Sequence, residues 1–386
     1  MSMKVVVVGG GIAGLTVAGL LARTGAHEVM VLERAPAHGA AGYGIGLYPL
    51  GAAAFNALGR REELLARSVP IDAYDVHGPD GALLQSVDLG ALLARFGPML
   101  GVTRTDLIEI LAGTVPDGVI RFGVRATGIE RAGDGVVVTD ADGGRHPGDV
   151  AVAADGMHSA VRGALFGEVE PHDTGFHAWM WWAPPGSTPQ GTASEYWGPS
   201  AFVGLYPMPQ GVNVAVGLPA DSSPDPQGDA ASIVEHLRAH VAARIPGAAD
   251  LPGLWDVRSG RPFLWPMIDV RAPAITALDD RVALCGDSGM GFLPTAGVGA
   301  SNALRSAAAL AYDLSLADAR TASLAIARWR ERVGDLVRHN QDDSRRLAKV
   351  MMVRRRSASA AVNAVMKHMP VSAMTRDIVK SMEVPF

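Results

Sequence analysis

The stretch Val5-Val-Val-Val8-Gly9-Gly-Gly11-Ile-Ala-Gly14-Leu-Thr-Val-Ala-Gly-Leu-Leu-Ala, closing at Gly25 and followed by Val29-Met-Val-Leu-Glu33, decides the fold. Four consecutive valines are what a parallel strand buried on both faces requires. Apolar residues then recur at helical spacing from Leu15, and Gly25 stands where a helix would be capped. Residues 29–32 make a second strand that ends on an acid. Between the first strand and the helix lies Gly9-x-Gly11-x-x-Gly14. In this strand–turn–helix–strand setting, the first glycine permits the tight turn, the second lets a pyrophosphate approach the backbone, and the third lets helix and strand pack closely. Ile12 and Ala13 open the helix, whose N-terminus offers free N–H groups to phosphate. Glu33 falls 24 residues after Gly9, where a carboxylate accepts from an adenosine ribose hydroxyl and repels a 2′-phosphate. The unit therefore specifies an adenine dinucleotide, FAD or NAD, and its glycines alone do not choose between them.

Composition narrows the class. The chain has 386 residues, enough for two or three domains at roughly 150 residues each, and 48% hydrophobic against 19% charged residues excludes bulk disorder. A net charge of −5 offers no basic surface for nucleic acid or an anionic membrane. The glycines at residues 9–14 break the N-terminal apolar run before it can serve as a signal peptide, and no stretch reaches the roughly 18 apolar residues of a membrane span. One cysteine, Cys285, excludes an intramolecular disulfide, and the eleven histidines show no paired ligand spacing, so no metal site is expected. The expectation is a cytoplasmic monomer or homodimer acting on a small molecule.

Two later segments choose the nucleotide. Asp155-Gly-Met-His-Ser159-Ala-Val-Arg162 follows the apolar strand Val150-Ala-Val-Ala-Ala, and Gly286-Asp287-Ser-Gly-Met-Gly-Phe-Leu-Pro294-Thr-Ala-Gly297-Val-Gly299-Ala-Ser301-Asn302 follows Val282-Ala-Leu-Cys. With Gly44-Ile-Gly46-Leu-Tyr-Pro-Leu-Gly51 and the Arg104 segment Thr-Arg104-Thr-Asp-Leu-Ile-Glu, they run in order from residue 5 to about residue 310. Together they resemble the group A flavoprotein monooxygenases of the para-hydroxybenzoate hydroxylase fold.

The resemblance implies an α/β protein: a Rossmann-like FAD-binding domain of the GR2 type, with an inserted β-sheet substrate domain and C-terminal helices. The expected boundaries are 1–75, 98–170 and 270–315 for the discontinuous FAD domain, 76–97 and 171–269 for the substrate domain, and 316–386 for the helical segment. It implies FAD as resident cofactor, with NADH or NADPH visiting transiently and O₂ as co-substrate. Oxygen would pass through a flavin C4a-hydroperoxide to hydroxylate or epoxidise an electron-rich ring. The implied cofactor residues are Gly9, Gly11, Ile12, Ala13, Gly14, Glu33, Arg34, Gly46, Arg104, Ala126, Asp155, Asp287, Gly297, Val298, Gly299 and Ala300, with Pro294 as the flavin-adjacent candidate. No protein nucleophile is called for.

Three departures qualify the match. Ser288-Gly-Met290 stands where the family usually carries Ala-Ala-His, Val298 and Ser301 replace a glutamine and an asparagine, and no arginine lies between Arg34 and Arg60. They keep two alternatives open, a flavoprotein oxidase or dehydrogenase without oxygen insertion and an FAD-scaffolded non-redox cyclase.

Aromatic residues concentrate between about 172 and 268. Alternation along His177-Ala-Trp179-Met-Trp181-Trp182 puts Trp179 and Trp181 on one strand face and Met180 and Trp182 on the other. An aromatic roof over the flavin suits a flat, largely apolar substrate, aromatic or polyketide-like, with Trp181, Trp197, Tyr206 and Trp265 as candidate contacts and about half of the tryptophans filling core. Trp179-Met-Trp181-Trp-Ala-Pro184 is also close to the Trp-x-Trp-x-Ile-Pro signature of flavin-dependent halogenases. Those enzymes need a lysine between the dinucleotide fingerprint and this sheet segment; the lysines here are Lys4, Lys349, Lys367 and Lys380, none of them in that region, so halogenation is not expected. From about residue 315 the chain reads as helical and basic, with Arg330, Arg332, Arg338, Arg345, Arg346, Lys349 and Arg354 to Arg356 read as a solvated face that Asp342 and Asp343 would pair, and with a tail packed over the pocket or a subunit contact as the alternatives.

Overall fold

The computed structural model describes residues 2–39 and 42–383. Lys4–Val8 runs at the centre of a six-stranded sheet, parallel to Glu28–Glu33 on one side and to Val150–Ala153 on the other. Val282–Leu284 extends the parallel order beyond Val150–Ala153, and Ile120–Phe122 extends it beyond Glu28–Glu33. The short strand Thr276–Ala277 closes one edge antiparallel. Val5, Val6 and Val7 have no exposed surface, because helices cover one face of this sheet and a three-stranded antiparallel sheet, Ala126–Ala132, Gly135–Asp140 and Arg145–Gly148, packs on the other. Helix Ile12–Thr24 ends at Gly25, which takes the left-handed conformation (φ 61°) and returns its N–H to the Ala22 carbonyl.

A second, seven-stranded sheet carries the aromatic residues in the order Phe263–Arg271, His172–Ala183, Gly211–Pro219, Ala201–Met208, Thr192–Gly198, Ala73–His77, Leu83–Asp88. Its first face packs under helix Ala230–Arg244 and holds Trp179, Trp181, Tyr196 and Val203. Its other face holds Phe176, Met180, Trp197, Phe202, Tyr206 and Trp265, together with Leu293 and methionines 351, 352 and 366.

The two sheets meet through a small antiparallel sheet of Gly44–Leu47, Met99–Thr103 and Ser68–Ile71. Close approach there demands glycine: a Cβ on Gly101 would lie 2.1 Å from the Pro207 carbonyl oxygen, and one on Gly44 would lie 2.6 Å from Met208 Cε. The Gly44 N–H also donates to Asn213 Oδ1 at 2.9 Å.

The C-terminal helices depart from the solvated face expected of them. Helix Ala322–Met351 is cross-linked to the rest of the chain by its arginines. Arg345 forks onto Asp269, whose side chain is fully buried, while Arg330 reaches Asp280 and Arg332 reaches the buried Asp313. Charge-assisted pairs of this kind hold a helix in one position on the fold, whereas an exposed pair such as Arg346 with Asp343 contributes little. The basic character was legible, but the acids that answer it lie up to 76 residues away in sequence.

Candidate active site

Glycine geometry at the fingerprint separates packing from binding. Gly9 has φ 104°, and a Cβ there would fall 2.3 Å from the Ala154 carbonyl oxygen. A Cβ on Gly14 would fall 2.0 Å from the Gly9 oxygen, so this glycine lets the helix close on the strand. A Cβ on Gly11 would meet no protein atom within 4 Å, so packing does not require its smallness. An approaching pyrophosphate would. Ile12, Ala13 and Gly14 follow as the first turn of helix Ile12–Thr24, whose N-cap is Gly11.

At the end of the next strand, Glu33 is held by two backbone donors, the Gly10 N–H at 2.6 Å and the Ala35 N–H at 2.8 Å. Arg34 beside it is exposed. Ala126 begins the neighbouring hairpin, which the Val124 N–H joins to the Glu33 carbonyl oxygen.

Asp155 sits at the end of Val150–Ala153, in van der Waals reach of Gly9. Its carboxylate accepts from the Ser159 hydroxyl (2.6 Å) and the Val161 N–H (3.2 Å), and Ser159 caps helix Ala160–Phe166. Arg162 is buried and donates to the Met157 carbonyl (2.7 Å) and the Ser288 carbonyl (3.0 Å). It therefore straps one motif to the other. Ser288, at a position where alanine was the family expectation, donates to the Ala153 and Cys285 carbonyls.

Gly286 (φ 65°) brings its segment against the fingerprint helix, a Cβ there lying 3.0 Å from that of Ala13. Asp287 follows. Its carboxyl is pushed up to about 6 by burial, and among the described residues nothing donates a hydrogen bond to it. Asp287 is only half-buried, and a partly desolvated carboxylate without a protein donor is one that hydroxyls of a ribityl chain would answer. Pro294–Ala296 forms a single turn ended by Gly297 (φ 63°); Val298 is the N-cap of helix Gly299–Ser315, and Ala300 lies in its first turn. Ser301 accepts from the Tyr48 N–H at 3.0 Å, and a Cβ on Gly51 would lie 2.7 Å from Ser301 Cα, so a small residue is what this crossing permits. Met290, where a histidine was the family expectation, is buried in the parallel-sheet core. Cys285 is also buried, its thiol pushed up to about 11 by burial, which leaves it without thiolate character.

The motifs thus converge at the carboxyl ends of four parallel strands, the usual ligand edge of such a sheet. From there Arg104, at the start of helix Arg104–Ala112, leads toward the second sheet. Its N–H donates to the Tyr43 carbonyl (3.0 Å); the Tyr43 hydroxyl is raised by burial, drawn down by the Arg104 charge and raised again by Asp287, so all three groups lie within electrostatic reach. The ring of Tyr43 meets Trp265 edge-on at 5.1 Å. Gly46 lies nearby on Gly44–Leu47, with Met99 Cε 2.9 Å from where its Cβ would be.

The substrate candidates divide. Trp197, Tyr206 and Trp265 share the face that carries Leu293, the residue before Pro294. Trp181 is set apart on the opposite face, its indole N–H on the Leu254 carbonyl (2.8 Å) and its ring stacked on Trp255 at 5.7 Å. The alternation that separated Trp181 from Met180 and Trp182 describes the strand correctly, and the latter pair faces the cleft side, where the Trp182 indole N–H donates to the Gly42 carbonyl. Sequence reading missed Tyr43, Tyr48, Tyr74 and Glu195. For Glu195 a signal existed, since it stands two residues before Trp197 on the same strand face.

An α/β fold that gathers a dinucleotide fingerprint, Glu33 and Asp287 on one strand edge is the frame of an FAD-binding flavoprotein. The chain matches the FAD binding domain family over residues 2–326 and belongs to it. It is 30% identical to an aurachin C monooxygenase/isomerase of Stigmatella aurantiaca over 84% of this chain and 83% of that protein. It is 32% identical to a 3-amino-4-hydroxybenzoate 2-monooxygenase of Streptomyces platensis over 82% and 80% of the two chains. In fold it is similar to Klebsiella pneumoniae HpxO complexed with FAD and uric acid, with a TM-score of 0.87, 22% identity and coverage of 98% and 96%. The chain is an FAD-dependent monooxygenase, and among its described residues no helix is long and apolar enough to cross a membrane.

Proposed function

We propose that the chain uses NAD(P)H and O₂ to hydroxylate or epoxidise a flat, largely apolar small molecule, aromatic or polyketide-like, lodged between the motif edge of the parallel sheet and the aromatic face of the second sheet. The observation that carries this reading is the continuous path from Asp287 and Arg104 through Tyr43 to Trp265, which joins the cofactor side to the substrate side. Gly9, Gly11 and the N–H groups of the following turn would hold the pyrophosphate, Glu33 the ribose and Asp287 the ribityl chain. FAD, when bound, supplies the redox chemistry and the activation of O₂. The protein supplies orientation and dryness. Trp265, Tyr43 and Met180 wall the cleft with apolar surface that excludes water, and helix Gly299–Ser315 starts at the flavin turn, where its N-terminal dipole favours negative charge. No side chain need act as a nucleophile.

The test is to add NAD(P)H and a panel of bicyclic phenols to the FAD-loaded protein. The expected result is nicotinamide oxidation stimulated by particular aromatics, with a product heavier by one oxygen atom. Conversion to products of unchanged oxygen content would overturn the reading.

A further inference from the structure

The cleft-facing side of the second sheet carries a buried carboxylate that the oxygenation scheme does not use. Glu195 is 4% exposed and lies in the middle of Thr192–Gly198. One carboxylate oxygen accepts from the Trp197 indole N–H at 2.8 Å and the other from the Tyr206 hydroxyl at 2.6 Å. Tyr74, from the adjacent parallel strand Ala73–His77, lies close enough for its hydroxyl and this carboxylate to influence one another. Among the described residues, no cation is one of the groups that shift it. Burial, the largest influence, holds the Glu195 carboxyl above its ordinary value, and Tyr206, Trp197 and Tyr74 offset that only in part. The phenols of Tyr206 and Tyr74 are correspondingly held well above their ordinary value, first by burial and then by this carboxylate.

The cluster is contiguous with the flavin turn. Tyr48, buried and pushed up to about 12 by burial and by Glu195, lies beside Gly297, the Tyr48 ring being 3.9 Å from where a Cβ on Gly297 would stand. The sheet is shaped to keep these rings flat. A Cβ on Gly204 would lie 2.5 Å from the Tyr206 hydroxyl oxygen, and one on Gly217 would fall 1.8 Å from the Phe202 ring. Tyr206 and Tyr74 are only half-buried, and methionines of the C-terminal helices, Met351, Met366 and Met374 among them, pack over the same aromatic group. Methionine adapts to ligands of varied outline, so shape alone selects weakly here and polarity must do more.

A phenol whose proton is committed to a carboxylate has only lone pairs left to offer. We propose that the Glu195–Tyr206–Tyr74 cluster makes the floor of this cleft an acceptor site, selecting a neutral aromatic ring that carries an N–H or O–H donor and rejecting rings whose polar group is a carboxylate. The inference deepens the oxygenation reading and rests on it for the identity of the cleft. Two effects set the exclusion: an incoming carboxylate finds no donor on the committed Tyr206 phenol, and it would have to be desolvated beside Glu195.

The test measures binding without turnover, so its failure is distinct from failure of oxygen transfer. FAD-loaded protein is titrated without NAD(P)H with 1-naphthol, 1-methoxynaphthalene and 1-naphthoate, following the flavin spectrum and tryptophan fluorescence. The expected order is 1-naphthol tighter than 1-methoxynaphthalene by roughly tenfold, about the worth of one hydrogen bond, with 1-naphthoate weakest. In Glu195→Gln the amide becomes a donor to Tyr206, freeing the phenol proton for the ligand, so the naphthol preference should fall to near parity and naphthoate should gain. Tyr206→Phe should erase the preference without the gain. Unfolding midpoints and flavin content of both variants identify loss of the fold. Equal binding of naphthol and its methyl ether by wild type, no binding of any of the three, or an unchanged order in both folded variants would overturn the proposal. A purely structural cluster would give that unchanged order.

Discussion

At the edge of the parallel sheet the site is made by backbone. Gly9 and Gly14 are fixed by carbonyl oxygens a Cβ would strike, Glu33 is held by two main-chain N–H groups, and Asp287 is delivered by the turn at Gly286. On the seven-stranded sheet it is made by side chains from different strands, with Glu195, Tyr206 and Tyr74 meeting across a ladder and Trp265 meeting Tyr43 across a sheet boundary. The first kind of site tolerates almost no change and serves one ligand common to many enzymes. The second can be rewritten residue by residue without disturbing the first, which suits a fold that keeps its cofactor and varies its substrate.

The comparison can be broken most severely at Gly14. Gly14→Val places a branched side chain where even a Cβ meets backbone at 2.0 Å, so the variant should yield little folded, flavin-containing protein, as measured by soluble yield and released flavin. Next comes the buried pair under the C-terminal helix. Arg345→Ala strands the Asp269 charge and should cost about 3–5 kcal/mol in denaturant unfolding, while Arg346→Ala, at an exposed pair, should change stability by under about 1 kcal/mol.

Trp181→Ala and Trp265→Ala separate the two sheet faces. The first should lose about 3–5 kcal/mol of stability through its cavity. The second, at a half-buried position, should mainly weaken aromatic ligands, by at least severalfold in the same flavin titration, with flavin content retained.

The remaining effect, confined to the flavin-free protein and to a narrow pH range, concerns Asp287. Because its folded pKa is raised, from 3.8 to about 6, the folded state binds more protons than the unfolded one between those values. Stability of the flavin-free protein should therefore fall as pH rises from about 4 to 6, by at most about 3 kcal/mol. Asp287→Asn should remove that fall while weakening FAD, which thermal unfolding against pH and flavin titration would show.

The same contrast explains what could be read before the structure. Turn glycines and strand-end acids act within a few residues of themselves, so the fingerprint, Glu33 and the Gly286-Asp287 turn were legible, as was the alternation separating Trp181 from Met180. Which face of that strand meets the cleft was not, since it depends on helix Ala230–Arg244 covering Trp181. Tyr43 gained meaning only through Arg104 and Trp265, and the arginines of the long helix only through Asp269, Asp280 and Asp313. Partners so far apart in sequence leave no local period to detect.

The central claim is that the two regions meet to place one atom of O₂ on a ring. Isotopically labelled O₂, supplied with NAD(P)H and a converted aromatic to the FAD-loaded protein, tests it most directly. One labelled oxygen atom in each product molecule, lost when NAD(P)H is omitted, is the predicted result; product whose new oxygen derives from water, or that forms equally without NAD(P)H or O₂, would contradict it.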